Sequence, residues 1–92
     1  MLIDKIKLIA DHYGKRNQLR QTEKELIELA DVINHFLEGK ATLSELIDET
    51  ADVIVMLRQD IYLMDIENEV SDRAAYKLNR QISRIKAEGD RP

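Results

Sequence analysis

Two pairs of acids carry the chemistry this chain can do. Glu49-Thr-Ala-Asp52 opens into Ala51–Leu57, a run in which only Asp52 is not apolar. A helix that is apolar nearly all round belongs inside a bundle. A carboxylate there is costly unless a partner holds it. Glu49 lies one turn earlier on the same helix face, so the two carboxylates repel unless a cation sits between them. A second pair, Glu25-Leu-Ile-Glu28, repeats the spacing upstream. Each pair alone says little in a chain with 18 acidic residues, because solvated helix faces produce such spacings constantly. Their levels say more. Counted outward from the break at Gly39-Lys40-Ala41, at a rise of ~1.5 Å per residue, the pairs come level to within about one turn. An antiparallel hairpin would therefore gather Glu25, Glu28, Glu49 and Asp52 into one oxygen-donor set, suited to Mg2+ or Mn2+.

The elements that must position these acids are helices. Leu2, Ile3, Ile6, Ile9, Ala10 and Tyr13 recur at helical spacing and predict a first helix over 2–13, stopped at Gly14. Leu19, Thr22, Leu26, Leu29, Ile33 and Phe36 form one stripe of a second helix over 15–38, with Glu25 and Glu28 at its edge. His35, a lone imidazole in the last turn, reads as a surface or capping residue. Thr42-Leu-Ser-Glu45 has the form of a capping box and starts a third helix over 43–63. Its broad face is Leu43, Leu46, Ile47, Thr50, Val53, Ile54, Leu57 and Ile61, and Val55 and Met56 add a second. Asp65 reads as the cap of a fourth helix over 66–87. No Gly or Pro separates helices three and four, so a single kinked rod is the alternative. The fourth helix carries Val70, Ala74, Leu78, Ile82 and Ile85 on one side and Arg73, Lys77, Arg80, Arg84 and Lys86 on the other. Residues 88–92 are expected to form a frayed tail.

Composition agrees with one helical domain over 1–92: 43% hydrophobic, 35% charged, three glycines and a single proline at the terminus. There is no cysteine, which excludes thiolate metal sites and is compatible with the cytoplasm. The start of the chain lacks the pattern of a signal peptide, and no stretch approaches the ~20 apolar residues of a membrane span. A net charge of −4 argues against a nucleic-acid-binding module, which needs a basic face, though not against a nucleotide ligand. The third helix is apolar over more of its circumference than three neighbours can cover, which predicts a homo-oligomer, dimer or tetramer. The fold expected is an all-α antiparallel four-helix bundle.

Glu25-x-x-Glu28, a linker of twenty residues, Glu49-x-x-Asp52, and Lys77 in Tyr76-Lys-Leu-Asn-Arg80 together resemble the MazG-type all-α nucleoside triphosphate pyrophosphohydrolases, over roughly Tyr13 to Ile85. The resemblance implies a bundle binding Mg2+ through the four acids and cleaving a nucleoside triphosphate between its α and β phosphates. Two positions depart from that family: Lys24 stands where many members have a second glutamate, and Gln81 where Arg or Asn is frequent. On this reading Glu28 takes the proton of the attacking water. Lys77 and Arg80 neutralise the departing pyrophosphate, Gln81 donates to a phosphate oxygen, and Gln18 meets the base edge. A rival reading is a non-catalytic helical dimer acting as an interaction or regulatory module, with the acids on a solvated face.

Overall fold

The first three helices each end where the sequence supplies a residue able to turn the backbone left-handed. The computed structural model describes residues 2–89, and within them the chain forms α1 (Leu2–Tyr13), α2 (Lys15–Leu37), α3 (Leu43–Met64) and α4 (Glu67–Gly89), with no strand. Gly14, at φ 86°, separates α1 from α2, and Gly39, at φ 75°, follows α2. There the amide of Lys40 donates to the carbonyl of His35 (2.7 Å) and that of Gly39 to Phe36 (3.1 Å), the paired bonds of a Schellman stop. Thr42 and Glu45 then cap α3 reciprocally: the Glu45 amide donates to the Thr42 hydroxyl, and the Thr42 amide to the Glu45 carboxylate.

The α3–α4 junction corrects one expectation. Asp65 does not cap α4; it ends α3, in the left-handed region at φ 54°. Its amide donates to Tyr62 and that of Ile66 to Ile61, so Asp65 takes the place glycine has after α2. Aspartate tolerates this conformation better than most side chains. The two helices are therefore separate, and the single-rod alternative is excluded. The helical bounds otherwise match the expected ones to within two residues. Helix continues to Gly89 where fraying was expected from 88, and 90–92 of the expected tail lie outside the described residues.

The packed body is α1, α2 and α3. α2 and α3 share the longest seam, α1 lies mainly on α3, and α4 comes alongside α3 only. Ile6 and Ala10 from α1 and Val53 and Met56 from α3 are the buried apolar side chains. Tyr62 ties α1 to α3 by donating to Asp11 (2.9 Å), with the Lys7 ammonium over its ring. α4 buries none of its side chains. The Cα radius of gyration is 16.9 Å, against about 12 Å for a compact chain of this length; the projecting α4 accounts for the excess.

The helix faces in use differ from those the apolar stripes predict. On α3 the side chains turned inward are Leu46, Glu49, Val53, Met56, Gln59 and Asp60. Ile54, Val55 and Leu57 are 49%, 41% and 42% exposed. On α2 the inward row is Gln18, Thr22, Glu25, Glu28, Leu29 and Val32, while Leu19, Leu26 and Ile33 lie outside. The Ala51–Leu57 run is thus not the most buried element of a single chain, and Asp52 is exposed. The reason is coverage: α1 and α2 shield one side of α3, and α4, swung away, leaves the other side open.

Candidate metal centre

The inward rotation of the two faces brings the acids together. Across the α2–α3 seam Gln18 meets Gln59 and Thr22 meets Asp60, and further along α2 Glu25 comes together with Glu49 and Asp52. One carboxylate oxygen each from Glu25, Glu49 and Asp52 lie within 4.8 Å of one another. Glu25 and Glu49 are half-buried, and each keeps one buried oxygen, Oε2, without a hydrogen-bond partner. The other Glu25 oxygen accepts from Gln21 Nε2 at 2.8 Å. Glu28, half-buried on the same row, is close enough for its charge to act on Glu49.

Burial first, then the charges of Glu28, Asp52, Glu25 and Asp48, hold the Glu49 carboxyl above the usual carboxylate range. A group shifted this way binds more protons folded than unfolded, so its contribution to stability falls as pH rises through the raised value. Among the described residues no ion pair reaches any of the four acids, whereas Arg20 pairs with Glu23 and Lys40 with Glu38. Orphaned, buried oxygens on Glu25 and Glu49, in a carboxylate cluster that no cationic side chain pairs, are hard donors of the kind a divalent cation takes.

The other expected site residues fall elsewhere. Lys77, Arg80 and Gln81 are exposed on α4, which does not pack on α2, and none of them bonds to the acids within the chain. Arg73, Tyr76 and Lys77 line an open depression with Asp72. Gln18 is buried, and its amide donates to Gln59 Oε1 at 2.7 Å. A larger pocket of about 510 Å³ lies away from the acids, between the first turns of α1, the end of α3 and the start of α4.

Three residues of the seam were not singled out for chemistry by the sequence: Thr22, taken as part of an apolar stripe, and Gln59 and Asp60. Gln59 is 2% exposed and Asp60 8%. The available signal was their spacing of three and four from Met56, masked by the stronger apolar signal on the opposite face. No protein-family model matches the chain, and neither a curated protein nor a solved structure matches it.

Proposed function

We propose that the chain is a Mg2+-dependent nucleoside triphosphate pyrophosphohydrolase, converting (deoxy)nucleoside triphosphates to monophosphate and pyrophosphate and clearing surplus or non-standard nucleotides in the cytoplasm. The observation that carries this reading is the convergence of Glu25, Glu49 and Asp52 oxygens within 4.8 Å, with Glu28 beside them and orphaned oxygens on Glu25 and Glu49. Solvated acids on a surface face have no reason to leave carboxylate oxygens buried and unpaired.

The order of contacts along α2 and α3 supports an antiparallel hairpin. The outward apolar rows of α2, α3 and α4 support a four-helix bundle completed by a second copy, in a dimer or tetramer. No helix among the described residues is long and apolar enough to cross a membrane, and the net acidity disfavours nucleic acid as a partner.

In this reading Glu25, Glu28, Glu49 and Asp52 hold the ion, with Mn2+ as the alternative to Mg2+. When bound, the ion supplies polarisation of the phosphoryl oxygens and a lowered pKa for water. Glu28, without a hydrogen-bond partner among the described residues, accepts the proton of the attacking water. Lys77 and Arg80 balance charge on the departing pyrophosphate and Gln81 donates to a phosphate oxygen. Because α4 stands off from the acids of its own chain, these three side chains reach the site from a second copy. Gln18, with one amide proton committed to Gln59, keeps its side-chain carbonyl oxygen and its second amide proton for a base edge.

One observation favours a second reading, a non-catalytic interaction module: the apolar side of α4 is open, with Leu78 59% and Ile85 66% exposed. A panel of nucleoside triphosphates with Mg2+, assayed for pyrophosphate, separates the two. Release abolished by Asp52→Ala is the outcome expected of the enzyme. No turnover of any nucleotide by a wild-type protein that also fails to bind Mg2+ would leave the module.

A further inference from the structure

The polar core between α2 and α3 contains more hydrogen-bond acceptors than protons if its aspartate is ionised. Thr22 Oγ1 lies 2.8 Å from the carbonyl oxygen of Gln18 and also within hydrogen-bond distance of Asp60 Oδ2. A hydroxyl has one proton and cannot donate fully to both. Asp60 is 8% exposed, and its second oxygen, Oδ1, is buried with no partner at all. An ionised carboxylate here would keep one oxygen dry and share a single weak donor at the other. That is among the costlier arrangements a core can hold.

We propose that Asp60 is a neutral carboxylic acid in the folded protein, donating from Oδ2 to Thr22 Oγ1, and that this relay is a pH-sensitive lock between α2 and α3. The Thr22 hydroxyl then gives its own proton to Gln18, and every donor in the chain of bonds has an acceptor. Only Oδ1 stays unpaired, as an uncharged carbonyl oxygen. On ionisation the proton leaves to solvent, Thr22 loses its donor, and a bare charge is left inside the seam that spaces the acid pairs.

The surroundings offer the charged form only the shared Thr22 hydroxyl. From α2 the facing groups are the neutral Gln18 and Thr22. α1 buries Ile6 and Ala10, and its charged Asp11 and Lys7 are both engaged at Tyr62. On α3 itself Gln59 is committed to Gln18, and Arg58 lines the pocket toward α1 and α4. Burial accordingly holds the Asp60 carboxyl above the usual carboxylate range, outweighing the lowering effect of the Thr22 hydrogen bond, and no neighbouring charge contributes. The sign follows. The folded state holds a proton that the unfolded chain releases near pH ~3.9. Stability from this group is therefore full below that value and is lost as pH rises through the raised one. The device does not depend on the metal reading.

The test is a carbon-13 carboxyl titration of the wild-type protein by nuclear magnetic resonance, the Asp60 signal being assigned by its loss in Asp60→Asn. Asp60 is expected to stay protonated after the other aspartates have ionised. Urea unfolding across pH gives the second readout. Relative to Asp60→Asn, whose amide can donate to Thr22 at any pH, the wild-type folding constant should fall by up to about tenfold per pH unit within the window, as one proton requires. Thr22→Val fixes the direction of the bond: removing an acceptor from the neutral acid lowers the Asp60 midpoint. An Asp60 signal that titrates with the other aspartates, or a midpoint raised by Thr22→Val, would overturn the proposal. The wild-type titration decides it even if a variant fails to fold.

Discussion

α2 and α4 are each 23 residues long, and both carry an apolar stripe opposed by charge. One lies in the longest seam of the molecule and the other buries nothing. The stripe is therefore a statement about which helix forms, since amphipathic spacing stabilises it against any apolar surface. It does not say which surface. On α2 the inward row is richer in Gln, Thr and Glu than the row left outside, so even the packed helix does not use its most apolar face within one chain. A polar seam inside and apolar rows outside put the acids where two helices meet, and the open rows are the ground for proposing a second copy.

That contrast can be broken by substitution. Met56→Ala removes a buried side chain from the seam and should cost about 2–5 kcal/mol in urea unfolding. Leu78→Ala, on α4, should stay within about 0.5 kcal/mol for an isolated chain. A Leu78→Ala cost approaching that of Met56→Ala, growing with protein concentration, would show α4 packed in an assembly. Next in size is Gln59→Ala, which strands the buried Gln18 amide and should cost about 1–3 kcal/mol. Thr42→Ala removes the capping box of α3 and should lower stability by about 1 kcal/mol. Because Thr42 is exposed, that loss should be independent of protein concentration. Mg2+ should raise the melting temperature, by an amount equivalent to about 2.7 kcal/mol at a hundred times its dissociation constant. Asp52→Asn should blunt that rise while retaining α4 as it is.

The helix bounds and caps were legible because they depend on local chemistry. Gly14, Gly39 and the Thr42–Glu45 box act within a turn of where they stand. The level of the two acid pairs followed from counting outward from Gly39, and the convergence of Glu25, Glu49 and Asp52 agrees with it. What the sequence could not supply was helix rotation. Leu19, Leu26 and Ile33 outweigh Gln18, Thr22 and Glu25 in any apolar count, yet the second row faces α3. The choice depends on what else covers the helix, which no residue of the helix itself records. Asp65 misled for a related reason: an aspartate before a helix can cap it, and an aspartate after a helix can turn left-handed. Only the bonds of Tyr62 and Ile61 distinguish the two.

The central claim is that these acids, gathered across α2 and α3, hold a divalent cation. Titrating Mn2+ into the protein and following the electron paramagnetic resonance signal of the free ion tests it without any substrate. Wild type should remove free Mn2+ in a saturable way, Mg2+ should compete, and Asp52→Asn and Glu49→Gln should each weaken binding by about a hundredfold or more, beyond the loss typical of outer-shell partners. Binding that is absent, or equal in wild type and both variants, would contradict the account.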